Sequence, residues 1–166
     1  MDVVIRDAVP TDAEAITRVL NPIIEARVYT VLDEPFSTEA EQEFISRFPK
    51  TGVWKVAVLP EDGRIAGFQI LEPFAAYTKA FDHVGIVGTY IDLDLRRRGI
   101  AKALFGATVE AARRKGYEKL FTFVRADNAA ALATYLAHGF TTIGTARRHA
   151  KIGGRYVDEV LIERAL

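Results

Sequence analysis

The chain has 166 residues, 49% of them apolar and 27% charged, the balance of a core-forming polypeptide rather than a disordered or collagenous one. Lysine plus arginine number 22 and so do aspartate plus glutamate, so no global field draws the chain to nucleic acid or to a membrane surface. Cysteine is absent, which excludes disulfide scaffolds, thiolate nucleophiles and cysteine-ligated zinc or iron.

Val3 to Arg6 reads as a short opening strand. Thr11 with Glu14 has the spacing of a capping box, and Ile16, Val19, Leu20, Ile23 and Ile24 then mark one face of a helix. Pro22 falls inside that stripe and predicts a kink or a break. Thr38 with Glu41 predicts a second capping box, with Phe44, Ile45 and Phe48 as the buried stripe of the helix that follows.

Trp54, Val56 and Val58 alternate with Lys55 and Ala57, and Pro60 to Gly63 turns the chain into a second run, Arg64 to Leu71: a hairpin. Glu72 to Asp82 is the longest irregular-looking piece. His83 to Ile91 is a β-branched, glycine-containing run that predicts a buried strand. Ile100, Ala103, Leu104, Ala107 and Ala111 mark an amphipathic helix closed by Lys115 and Gly116. Leu120 to Val124 is a strand, Asn128 to His138 a helix closed by Gly139, and Thr141 to Leu166 two strands around Ile152 to Arg155. The order predicts one domain, residues 1–166, of the α+β class: a mixed sheet with one crossover. No basic-then-apolar leader is visible, and no apolar run approaches the roughly 20 residues that span a bilayer. The cytoplasm is the expected location, and no membrane partner is expected.

The most informative segment is Ile91 to Phe105, where a strand end leads through Arg96, Arg97, Arg98 and Gly99 into a helix. Free N–H groups at a helix N-terminus, the helix dipole and a glycine without a side chain together make an anion site, and the arginines add charge for phosphate oxygens. A solvated basic turn is the plainer reading of the same residues. A Walker loop and a dinucleotide glycine fingerprint are both missing, which removes the main support for nucleotide hydrolysis and hydride transfer.

Arg96-x-x-Gly99-x-Ala101 resembles the (Gln/Arg)-x-x-Gly-x-(Gly/Ala) signature of the GNAT acyl-CoA-dependent N-acetyltransferase superfamily. Asn128, Ala131, Tyr135, Gly139 and Phe140 resemble its second motif, one helix and one strand further on. Within the superfamily, Tyr29 to Pro35 and Ile152 to Asp158 resemble the phosphinothricin and L-amino acid N-acetyltransferase group.

That resemblance implies a GNAT-like fold, with the central sheet splayed between the strands His83 to Ile91 and Leu120 to Val124, flanking helices, and acetyl-CoA as co-substrate in the opening. Backbone groups around Ile91 and Leu93 would pair with the pantetheine arm as a pseudo-strand. Backbone amides of Arg96, Arg97, Arg98, Gly99, Ile100 and Ala101, with Lys102, would hold the pyrophosphate. Asn128 would bond the pantetheine or fix the loop. Tyr135, by pattern alone an aromatic on a buried face with Leu132 and Leu136, takes the place of the acid that protonates the leaving thiolate. A homodimer is also implied.

The resembled group has a glutamate where this chain has Ile86. Isoleucine accepts no proton, so Glu34, Glu72, His83 and Asp92 stand as alternatives for the general base, with His83 and Ile86 on opposite strand faces. No metal is expected: His83, His138 and His149 lack ligand spacing, and Asp92-x-Asp94 meets arginines where a calcium loop needs ligands. Phe36, Trp54, Phe74 and Tyr77 fit either an acceptor pocket or core, and core is the expectation for Trp54. The sequence reading is therefore an N-acetyltransferase acting on a small-molecule amine, an amino acid or a similar compound. A protein N-terminus, lysine or polyamine acceptor and a non-catalytic acyl-CoA-binding module stay open beside it. No nucleic-acid partner is expected, given the zero net charge.

Overall fold

The computed structural model describes residues 1–166. Strands β1 (Val4–Asp7), β2 (Val53–Val58), β3 (Ile65–Pro73), β4 (Val84–Ile91), β5 (Lys119–Arg125), β6 (Thr141–Ile152) and β7 (Arg155–Ala165) form one sheet in the order β1-β2-β3-β4-β5-β7-β6. Only β4 and β5 run parallel, joined across the sheet by α3 (Ile100–Arg114). Helices α1 (Ala13–Glu25) and α2 (Thr38–Arg47) cover one face, where their apolar stripe meets Trp54, Val56 and Phe68. On the other face α3 and α4 (Ala129–Ala137) pack on Val53, Leu71, Val87, Leu120 and Ile162. Helices on both faces explain why β2 does not alternate as predicted: Val53 and Ala57 are buried along with Trp54 and Val56.

The expected splay is present. β4 and β5 pair at Val84 with Lys119, Gly85 with Leu120 and Ile86 with Phe121, and no further. Beyond that apex each strand runs on alone on its inner side, so backbone donors and acceptors of β4 from Val87 to Ile91 face a gap instead of a neighbouring strand.

Several local expectations are corrected. Thr11 and Glu14 do not cap α1. A short 3-10 turn, Pro10–Asp12, precedes it, and the Asp12 carboxylate accepts the Val9 N–H (2.9 Å) and a fork from Arg6 (2.7 and 2.8 Å). Burial alone would raise the Asp12 carboxyl, but the Arg6 and Val9 hydrogen bonds outweigh it and hold it below the usual range. Pro22 does not break α1, which is continuous through it. Arg18 and Pro22 are both exposed, so water can satisfy the carbonyl that the missing N–H abandons. α2 is capped one residue earlier than Thr38: Ser37 accepts the Ala40 N–H at 3.1 Å. Of its expected stripe Ile45 is buried and Phe48 partly so, while Phe44 is exposed and lies tilted against Trp54, 5.4 Å between ring centres. The longest irregular piece is residues 26–37, not Glu72 to Asp82; the latter holds the end of β3 and a 3-10 turn, Lys79–Phe81.

Candidate active site

The splay places one end of the candidate site at the turn between β4 and α3. Gly99 is the N-cap of α3, with φ at +84°, and a Cβ built there would meet nothing within 4 Å. The turn needs glycine for its left-handed backbone, and the space beside it is open to an incoming anion. Arg97 also adopts a left-handed conformation, φ 62° being Arg27's value and 60° its own. The first helical bond runs from the Ala103 N–H to the Gly99 carbonyl at 3.2 Å, so the amides of Ile100, Ala101 and Lys102 have no intrahelical acceptor. Arg97, Arg98 and Lys102 are exposed, Ala101 is partly buried, and Ile100 is core. Arg96 instead folds back, its guanidinium carbon 4.0 Å from the centre of the Tyr29 ring. Ile91 ends β4, paired on its outer side with Gly67, whereas Leu93 lies in a 3-10 turn, Leu93–Leu95, and packs toward α1. Extended backbone facing the gap therefore stops at Ile91.

Tyr135 comes to the same gap from α4. Its ring is held edge-on by Phe105 (5.5 Å) and Phe140 (5.1 Å), and its hydroxyl donates to the Thr89 Oγ1 on β4 at 3.0 Å. Thr89 Oγ1 also accepts from Gln69 Nε2 of β3 at 2.8 Å, and Gln69 is wholly buried with its Oε1 unpartnered. Burial pushes the Tyr135 phenol well above the ordinary tyrosine value, the Thr89 hydrogen bond opposing it. The group therefore keeps its proton at neutral pH. Of its two expected neighbours, Leu132 packs on the core and Leu136 is exposed.

Asn128 caps α4, accepting the Ala131 N–H at 3.1 Å, and its amide donates to the Tyr29 carbonyl at 3.1 Å. Arg125, 6% exposed, donates to both Asp127 carboxylate oxygens (2.9 and 2.8 Å) and to the carbonyls of Arg27 (2.9 Å) and Thr30 (3.1 Å). Residues 26–37 are thus tied to the open end of β5 by Arg125 and Asn128 and to the β4 turn by Arg96. They bridge the mouth of the splay.

The opposite face of the sheet carries Phe68, Ile70 and Glu72 of β3 beside Tyr90, Gly88 and Ile86 of β4. Tyr90 stacks on Phe68 at 4.9 Å. Its phenol is raised by burial, opposed by a Thr30 hydrogen bond, and raised further by the nearby Glu72 and Glu41 carboxylates. Glu41 is 3% exposed; burial lifts both carboxyls above the usual range. Trp54 is core as expected, but Phe36, Phe74 and Tyr77 are exposed. No group of three or more His, Asp or Glu side chains is gathered that could hold a metal ion, and no helix is long and apolar enough to cross a membrane. Thr89, Gln69 and Arg125 escape the sequence reading, and Glu41 enters it only as a capping partner of Thr38. Gln69 carries a legible signal all the same, a lone amide inside an apolar strand.

The family model for the acetyltransferase (GNAT) domain matches residues 5–161. The phosphinothricin N-acetyltransferase of Streptomyces coelicolor is 25% identical over 167 residues, covering 99% of this chain and 97% of the relative. An L-amino acid N-acetyltransferase of Escherichia coli K12 is 30% identical over 168 residues, covering 98% of each. The crystal structure of a GNAT superfamily phosphinothricin acetyltransferase from Sinorhizobium meliloti, in complex with AcCoA, has the same fold, with a TM-score of 0.90 at 23% identity over 100% of this chain and 89% of that one.

Proposed function

Because this chain belongs to the acetyltransferase (GNAT) family, we propose that it transfers the acetyl group of acetyl-CoA to the primary amine of an amino acid or a phosphinothricin-like compound, by direct attack in a ternary complex. The observation that carries the proposal is the gap itself. An unpaired strand edge leads to a glycine-capped helix start with free amides, and a protonated phenol stands on the gap's flank. Two relatives matched over nearly their whole length are named for phosphinothricin and for L-amino acids, which supports the acceptor class.

Each part has a task. The free backbone edge of β4 up to Ile91 bonds the pantetheine amides as an added strand would. The amides of Gly99, Ile100, Ala101 and Lys102, with Arg97 and Arg98 alongside, hold the pyrophosphate. Arg96 and Asn128 work indirectly, fixing Tyr29 over the mouth. The neutral amine nitrogen attacks the thioester carbon, the C–S bond breaks as the sulfur takes the proton of Tyr135, and the proton shed by the nitrogen returns through solvent to the Tyr135 oxygen. Hydroxyl protons rotate, so as Tyr135 turns its proton to sulfur, Thr89 can donate its own to the Tyr135 oxygen, while Gln69 keeps donating to Thr89. The phenolate that forms is thereby met by a donor at once.

The reading includes one catalytic domain over residues 1–166 and a cytoplasmic homodimer, the latter checked by sedimentation. The reaction is tested by supplying acetyl-CoA with an isotope-labelled acetyl group and a panel of amino acids, polyamines and short peptides. Label in the amide of an amino acid supports the proposal. Label only in peptides or polyamines overturns the acceptor class, and unaltered acetyl-CoA across the panel overturns the activity.

A further inference from the structure

The position where the resembled enzymes carry a glutamate is Ile86 here, so the proton leaving the amine needs another acceptor. Ile86 is also the last β4 residue paired to β5. A chain lying in the gap can go no deeper than this apex, so the acetyl group it carries ends there. Directly opposite partners in neighbouring strands share a face, and the register through the apex runs Glu72, Ile86, Phe121, Glu163 across β3, β4, β5 and β7. Two carboxylates therefore flank the apex on the face away from Tyr135.

They are not equivalent. Glu163 is ion-paired with Lys119 on the same face. Glu72 is half-buried, and no ion pair or hydrogen bond offsets its burial. Directly opposite residues of an antiparallel pair have their Cβ atoms only about 5 Å apart, so a Glu72 carboxylate serves the space above Ile86 from the next strand. The remaining acids and bases fall away on geometry. Asp92 lies six residues along from Ile86, about 20 Å by strand rise, and its carboxylate accepts the Asp94 N–H. Glu34 is exposed in the mouth segment, and His83 precedes β4 with the parity of the opposite face.

We infer that Glu72 of β3 is the general base of the acetyl transfer proposed above, replacing across one strand pair the carboxylate missing at Ile86. Its oxygen takes a proton from the acceptor's ammonium. The freed lone pair forms the C–N bond, and the C–S bond breaks as Tyr135 protonates the sulfur from the other face. The proton that the new amide nitrogen still sheds returns through solvent to the Tyr135 oxygen, and Glu72 releases its proton to solvent. Tyr90 on β4 lies near both Glu72 and the Glu41 of α2, and Lys119 and Glu163 beyond the apex neutralise each other.

The inference rests on the proposed acetyl transfer, and the test separates the two. With the amino acid that the intact enzyme acetylates, Glu72→Gln, which preserves shape, is expected to lower kcat/KM for the amine about a hundredfold or more. Its acetyl-CoA dissociation constant stays unchanged, and the fall of activity toward acid pH disappears. Adding Ile86→Glu to Glu72→Gln returns a carboxylate to the apex and is expected to recover at least about tenfold of the lost rate. Glu72→Gln with wild-type turnover, or with reduced turnover and the acid limb intact, overturns Glu72 as base and leaves the transferase reading standing. An intact enzyme that acetylates no amine overturns both.

Discussion

Tyr135 of α4 donates its phenolic proton to Thr89 of β4 at 3.0 Å, and this one bond spans the gap that separates β4 from the elements following β5. It makes the proposed acid part of the wall it works from. Tyr135→Phe removes the proton and keeps the ring between Phe105 and Phe140. The expected result is a loss of kcat of about a hundredfold, with the acetyl-CoA dissociation constant unchanged and stability lower by about 1 kcal/mol. Turnover with calorimetric binding on the same preparation checks it; full activity removes Tyr135 from the mechanism.

Gly99 opens α3 in a left-handed conformation with free space where a side chain would be. In Gly99→Ala the penalty is conformational, about 1 kcal/mol from the backbone, and the new methyl group also intrudes on the anion's approach. The expected result is a several-fold weaker acetyl-CoA dissociation constant with the acceptor KM unaltered. Equal affinity for acetyl-CoA in the two proteins would move the pyrophosphate away from this turn.

Much of this was legible in sequence. The apolar stripes of α1 and α3 and the glycine stops at Gly116 and Gly139 follow from local chemistry. Gly99 after three arginines points to an anion by the same logic. What pattern could not give are relations between distant residues. Register alone brings Glu72 opposite Ile86 and Gln69 opposite Thr89. The local Thr11 to Glu14 spacing does not make the cap of α1, because Arg6 from β1 engages Asp12, a tertiary contact that overrides it. The segment 26–37 has no periodicity, and its order comes from Arg125 and Asn128, about a hundred residues away along the chain.

Arg125 is the main tie of that segment. Lysine at this site keeps the charge but cannot span Asp127 and two carbonyls together. Arg125→Lys is expected to cost about 2 kcal/mol in urea unfolding and to speed limited proteolysis within residues 26–37. Unchanged cleavage there would mean that Asn128 and Arg96 hold the segment unaided.

Glu41 is buried and nothing offsets its desolvation, so its folded-state pKa lies above the unfolded value. Its favourable contribution is complete below the unfolded pKa and is lost as pH rises through the folded one. Glu41→Gln is therefore expected to raise the melting temperature at pH 7, by a free energy on the order of 1 kcal/mol, and to leave it unchanged near pH 3, well below the unfolded pKa, where the carboxyl is neutral in both states. A gain that is the same at both pH values would assign the effect to packing instead of charge.

The central claim is that the splay between β4 and β5 serves acetyl transfer to an amino acid, and thiol release from acetyl-CoA tests it most directly. The chain has no cysteine, so CoA is the one thiol that can form, and a thiol reagent reads it without background from the protein. The account predicts saturable release that requires both the enzyme and a free amino acid or phosphinothricin-like amine. Acetyl-CoA binding without release for any amine in the panel would contradict it.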